Sequence, residues 1–288
     1  MKPGWNPTKR NRKIGTADQG FSQNNKLVIP QKWSDLKVFW ERLTNPVVNT
    51  ITIEDHSVTV LVEQTKKGYI HSCTIDDVKT ILKYIPKRDI EEISLIVFRQ
   101  PKRKEEFINR AWGRYVYYAD IGKYSGPGIY LEAQPVNCKI KWPLSATPDQ
   151  LKEIQRLEED GHIITRDKRH FYIQTSPDTI RNTQLYRTFP HEVGHVVDYL
   201  INSLEPSINA ETENESDYIS KVFDSKPSRD KEAFAHRYAD KFKKVLFDKK
   251  IIPFDRIINE GEMIKMNLNP EWFPNKNLTA NKTNALGQ

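Results

Sequence analysis

From Asn49 to Thr65 apolar and polar residues alternate, with Ile51, Ile53, Val58, Val60 and Val62 as the apolar set. A period of two is the mark of half-buried strands, so this stretch predicts a β-hairpin. A helix is predicted just before it, over Lys32 to Leu43, and Tyr69 to Cys73 reads as a returning strand. Thr74 then stands as an N-cap for a helix over Ile75–Ile85, with Asp76 and Asp77 in its first turn and Pro86 at its end. Three more strands are predicted at Ile93–Phe98, Tyr115–Ile121 and Gly128–Ala133, with Pro101, Gly113, Gly122 and Gly126 punctuating the loops. A helix over Pro148–Glu159 closes on Asp160-Gly161, and His162–Thr165 with Phe171–Thr175 reads as a second hairpin. Beyond it the pattern turns helical, over about 182–203, 217–222 and 230–248. Strands first and helices last predict an α+β fold, a small mixed β-sheet packed on a helical wall.

The ends differ from this body. Residues 1–30 hold few apolar side chains and many Asn, Gln, Lys and Gly, too little to offset the entropy of ordering, so a disordered basic arm is expected there. Residues 267–288 are similar in composition and are read as a second disordered tail, with Trp272 and Phe273 able to pin one point of it to the body. Between the tails we expect a helix and β-hairpin region over 31–73 and a main domain over 74–266. Lys and Arg number 45 against 38 Asp and Glu, a formal charge of +7 that favours acidic partners only weakly. No apolar run reaches the roughly 18 residues of a membrane span, and the mean hydropathy is −0.70. No signal-type apolar segment follows the basic arm, so a cytoplasmic location is expected. Cys73 and Cys138, in no CxxC pair, make neither a disulfide framework nor a thiolate metal site.

The chemistry concentrates in His191-Glu192-Val193-Gly194-His195, an HExxH pattern. Two histidines four apart on a helix lie about 40° apart on one face with about 6 Å of rise, which lets both imidazoles reach one ion. Glu192 beside them is placed to take a proton from an attacking water. With 7 histidines in 288 residues, the pattern is expected by chance only about 0.01 times. Phe189, Val193, Val196, Val197 and Leu200 supply the apolar face a packed helix needs. Pro190 leaves two readings open, a helix that begins near it or a helix kinked at it. Catalytic zinc takes a third protein ligand. The HExxHxxGxxH alternative fails, since positions 198 and 201 are Asp198 and Ile201, and Glu232 in the segment Asp230–His236 is assigned instead. The small Ala235 lets that second helix approach the first.

The two segments HEVGHVVDYL and KEAFAHRYAD together resemble the gluzincin metallopeptidases, and among them the anthrax lethal-factor-like catalytic domains. The resemblance is specific over about 191–200 and 230–240 and extends as an order of elements over roughly 74–245. It implies that 74–266 is a zincin-like catalytic domain and a zinc-dependent metallopeptidase. Zn2+ would be held by His191, His195 and Glu232, with Glu192 as general base and peptides or proteins as substrates. It also implies that one strand, Gly128–Ala133 by position, offers its edge to an extended substrate. That family places a tyrosine two turns before the glutamate ligand to stabilise the oxyanion. Here Ser225 stands at that position, which leaves Tyr218, with Tyr186 as a second candidate.

Asp198 has two readings, an acceptor for the free N–H of a ligand histidine or a helix-surface carboxylate. His236 has three: a fourth metal ligand, a transition-state donor, or a solvent-side residue. His56, His71, His162 and His170 have no ligand spacing and are assigned structural roles. Two other classes stay open. One is a nucleic-acid-associated protein, suggested by the basic arm with Trp5, and the other a non-catalytic zinc-binding protein keeping the fold. The retained Glu192 counts against the latter, because a structural site has no use for a base.

Overall fold

The computed structural model describes residues 38–102, 105 and 111–274. The chain divides into Met1–Arg42 and Leu43–Gln288. In the first unit the described part is a single 3-10 turn, Phe39–Glu41, in place of the C-terminal end of the expected helix over 32–43. The basic arm of 1–30 lies outside the described residues.

The second unit begins with an antiparallel hairpin, β1 (Val47–Ile53) and β2 (His56–Val62), where the alternation of apolar residues predicts one. After the short β3 (Tyr69–Ile70) comes α1 (Ile75–Leu82), capped by Thr74, whose hydroxyl accepts the Asp77 amide while the Asp77 carboxylate accepts the Thr74 amide. A one-turn helix, α2 (Lys87–Glu91), leads into β4 (Leu95–Arg99), which is buried along its whole length, as a strand covered on both faces requires. Then follow β5 (Gly113–Ile121), β6 (Tyr124–Glu132), the two-residue β7 (Gln134–Pro135) that pairs with β3, and β8 (Lys139–Pro143). Helix α3 (Pro148–Glu159) precedes a hairpin of β9 (Ile163–Arg166) and β10 (His170–Gln174).

The main sheet runs β1-β2-β4-β6-β5, with parallel pairing at β2/β4 and β4/β6 and antiparallel pairing at both ends. This is the mixed sheet the sequence predicts, in an α+β fold. Two expectations change. The hairpin of 47–62 is part of this sheet, so the expected boundary between 73 and 74 does not divide the body. The strand containing Gly128–Ile129 is flanked by β4 and β5 and has no open edge; β5 is the edge on that side, with a bulge between Val116 and Ala119.

One helical run covers 177–208. It comprises α4 (Pro177–Thr183), a π segment (Gln184–Thr188), α5 (Phe189–Tyr199), a second π segment (Leu200–Leu204) and α6 (Glu205–Ile208). The Pro190 question is answered by the first π segment, where the Phe189 amide bonds to the Gln184 carbonyl five residues back. The extra residue is inserted just before the proline that has no N–H to give, and the helix continues. Helices α7 (Glu213–Ser225), α8 (Ser228–Asp248) and α9 (Glu260–Lys265) complete the wall. The core joins Val58, Val60, Ile96, Phe98, Ile129 and Leu131 of the sheet to Val78 and Ile81 of α1 and to Phe189, Val193 and Val196 of α5. Phe273 is buried against His71 and Phe98, and the Trp272 carbonyl accepts the His71 amide, so the body extends past the expected start of the tail at 267. Residues 275–288 lie outside the described residues.

Candidate metal centre

Helix α8 crosses α5 at a contact that admits no side chain. A Cβ on Gly194 would stand 2.8 Å from Ala235 Cα and 3.0 Å from its carbonyl oxygen, so glycine on one helix and alanine on the other set the distance between them. The HExxH residues flank this contact on α5, and Glu232 lies one turn before Ala235 on α8.

His191 Nε2 is 3.2 Å from one oxygen of Glu232, and His195 Nε2 is 3.6 Å from the other. Ligand atoms of the three residues all lie within 4.8 Å of one another, the one group of this kind among the described residues. Ligands held at about 2.1 Å in a tetrahedral arrangement stand about 3.4 Å apart, so the two histidine–glutamate separations suit one zinc-sized ion. The donor set of two imidazoles and a carboxylate suits it too. The fit has one gap. His191 Nδ1 is buried with no hydrogen-bond partner among the described residues, whereas a ligand histidine ordinarily gives that N–H to a carboxylate or carbonyl.

Glu192 is buried beside the cluster, and burial pushes its carboxyl up to about 7, against the pull of His191 and a backbone hydrogen bond from Tyr115. Burial and the neighbouring His191 push His195 down to about 4, which keeps its ring neutral and ready to ligate. The His191 contact holds the Glu232 carboxyl below its ordinary value. The cluster forms the floor of a cleft of about 460 Å3, whose other lining includes Arg114, Tyr115 and Tyr117 of β5 and Lys231 of α8. Gly113 opens that strand; a Cβ there would meet the Tyr130 carbonyl oxygen at 2.7 Å and Thr188 Cγ2 at 2.8 Å. Its absence lets β5 close onto the helical run.

The remaining expected residues are elsewhere. Tyr218 is 68% exposed on the outer face of α7 and does not line the cleft. Tyr186 is buried, and its hydroxyl accepts the Phe254 amide and an Arg181 N–H at 3.1 and 3.0 Å, a structural role. Asp198 takes up neither of its expected roles. It is buried, and it accepts Lys226 Nζ at 2.8 Å and Asn202 Nδ2 at 2.8 Å. His236 lies with its ring centre 4.4 Å from that of His191, and its Nε2 accepts an N–H of Arg156 at 3.1 Å. Burial pushes it down to about 4, so it is a neutral partner of Arg156 beside the ligand set. The sequence reading missed Arg114, Tyr115 and Tyr117. For the two tyrosines the signal was the strand itself, because alternation sends residues 113, 115 and 117 to one face, whereas Arg114, of the other parity, had none.

Comparison with protein families, with characterised proteins and with solved structures finds no match to this chain.

Proposed function

We propose that the protein is a zinc-dependent hydrolase of peptide bonds. One observation carries this reading: two imidazoles of one helix and a carboxylate of another converge at the floor of a cleft, with a buried glutamate beside them and an edge strand at its rim. His191, His195 and Glu232 would hold the ion. When bound, a zinc ion polarises a carbonyl and makes water acidic enough to attack at neutral pH.

The chain's own residues supply the rest. Glu192, buried and adjacent, takes the proton of the attacking water and returns it to the leaving amine. Burial excludes competing solvent from that carboxylate and strengthens its interactions. The outer edge of β5 presents backbone groups with which an extended peptide can pair, and this is what favours a peptide over other amides. Tyr115 and Tyr117 stand at the cleft on the same strand, in the place the sequence reading gave to Tyr218. Burial raises both phenols, Tyr117 to about 12, so both are protonated and able to donate hydrogen bonds at neutral pH.

The test is metal content by mass spectrometry on the wild type and Glu232→Ala, with peptide-library cleavage by the wild type and Glu192→Gln. The reading requires one zinc per chain, weakened by Glu232→Ala, and cleavage that Glu192→Gln abolishes while zinc is retained. Zinc binding indifferent to Glu232→Ala, or cleavage undiminished in Glu192→Gln, overturns it.

A further inference from the structure

Behind the ligand histidines a second, smaller hollow of about 160 Å3 adjoins the cleft, sharing His191 and Glu192 with it and walled also by Trp112, Glu153, Arg187 and His236. At roughly 30 Å3 per water it has room for about five, the size of a carboxylate with a few carbons.

Arg187 is the unusual member. It is 8% exposed. Its Nε donates to Asp160 at 2.7 Å and its Nη1 donates to both oxygens of Glu153 at 2.8 and 2.9 Å. Its Nη2 is buried and has no hydrogen-bond partner among the described residues. Folded proteins rarely leave such a donor unpaired, because a charged group taken out of water without an acceptor is costly. The arrangement is accounted for if a ligand supplies the acceptor.

The charges around it say which acceptor. Lys243 Nζ also reaches Asp160, at 3.1 Å, and Arg156 stands 3.9 Å from Glu153 and donates to His236. Three cations therefore meet two carboxylates, with one positive charge left over. Glu232 lines the first cleft and not this hollow, and the Glu192 carboxylate accepts the Tyr115 amide. A guanidinium in this state favours an anion with planar oxygens over a neutral amide.

We propose that the hollow is a carboxylate-binding subsite anchored by Arg187, with Trp112 covering the aliphatic part of the ligand. Under the hydrolase reading, on which its role in catalysis rests, the carboxylate belongs either to an Asp or Glu side chain near the scissile bond or to the C-terminus of the substrate.

Binding is tested without turnover. The full chain is titrated with butyrate and with butyramide, followed by NMR, once loaded with zinc and once treated with chelator. Butyrate is expected to bind at least about tenfold more tightly than butyramide in both states, the discrimination of one charge-assisted hydrogen bond. Arg187→Lys keeps a charge for Asp160 and Glu153 but has no second guanidinium nitrogen, and it is expected to lose that discrimination. If this variant does not fold, the wild-type comparison decides alone. Equal binding of butyrate and butyramide, or butyrate binding that disappears with the metal, overturns the proposal. Peptides with Asp or Glu replaced by Asn or Gln, each with free and amidated C-termini, then identify the source. Cleavage that requires an internal acidic residue assigns the side chain, and cleavage lost on amidation assigns the terminus. Cleavage indifferent to both overturns the subsite. No cleavage of any peptide, with butyrate still held by the chelated chain, leaves the subsite standing and removes the hydrolase reading.

Discussion

Gly194→Ala adds one methyl group at the crossing of the two ligand helices. That carbon would stand 2.8 Å from Ala235 Cα, 3.0 Å from its oxygen and 3.1 Å from Tyr238 Cβ. Carbon atoms ordinarily pack at about 3.5–4.0 Å, and the atoms met are mainly backbone, so α8 must retreat by roughly 1 Å. Two terms oppose each other in the stability. Alanine gains about 1 kcal/mol over glycine in helix propensity, while overpacking a rigid contact costs about 1–3 kcal/mol. A net loss of about 1 kcal/mol follows, a fall of roughly 2–4 °C in Tm for a domain of this size. Under the proposed function the larger effect falls on metal binding. Glu232 lies one turn before Ala235 and moves with it, whereas a ligand set tolerates only about 0.2 Å. Zinc affinity, measured by competition with a chromophoric chelator, is expected to drop at least about tenfold. Thermal unfolding in excess chelator measures the packing term separately. Unchanged zinc affinity together with a raised Tm, as propensity alone would give, would refute the reasoning.

Asp77 is fully buried and accepts two N–H groups of Arg181 at 3.0 and 2.9 Å and the amides of Thr74 and Ile257. Asp77→Ala strands the Arg181 charge and is expected to cost about 3–5 kcal/mol in urea unfolding; a loss under 1 kcal/mol would show that Arg181 finds water instead. His71 is buried between Phe98 and Phe273, and burial lowers it from 6.5 to about 4. The unfolded chain then binds the extra proton between these values, so the contribution of neutral His71 is present above pH 6.5 and is lost as pH falls toward 4. It amounts to about 3 kcal/mol. His162, His195 and His236, also lowered to about 4, act the same way, so in the metal-free chain His71→Gln is expected to remove about a quarter of this acid sensitivity, read from denaturant midpoints across pH. Tyr218→Phe is expected to leave cleavage rates within twofold of wild type, since its side chain lies outside the cleft; a hundredfold loss would return the oxyanion role to it.

What the sequence made legible followed period and spacing. The alternation at Ile51, Ile53, Val58 and Val60 marked a real hairpin, and Thr74 caps the helix it precedes. The His-Glu-His spacing pointed to three residues of the candidate site because a helix fixes their relation locally. Glu232 came from a second helix, whose approach needed only small residues at the crossing. What stayed hidden depends on neighbours distant in sequence. Nothing in Gly128–Ala133 tells that β5 would cover its outer side, so the edge was assigned one strand too far inward. Tyr186 was misread for a related reason. Its hydroxyl is taken by Phe254, distant in sequence, and even a regular helix would place it, five residues before His191, about 140° from that ligand. Asp198 does share the face of the ligands, but Lys226, just past the end of α7, reaches it first. Arg187 offered no sequence signal, because its unpaired nitrogen is defined by what Asp160 and Glu153 leave over.

Glu192 joins the two layers of the candidate site as well as carrying its proposed chemistry. Its backbone belongs to the metal helix, while its carboxylate accepts the Tyr115 amide of the edge strand. The group that would move the proton therefore also fixes the strand on which substrate would lie. Removing it altogether confounds the two roles, since an alanine there frees the Tyr115 amide and loosens the rim of the cleft. Glutamine keeps a carbonyl oxygen for that amide and gives up only the basicity. A loss of cleavage in Glu192→Gln is thus a statement about proton transfer, and any further loss of substrate affinity in Glu192→Ala measures how much the site depends on holding β5 in place.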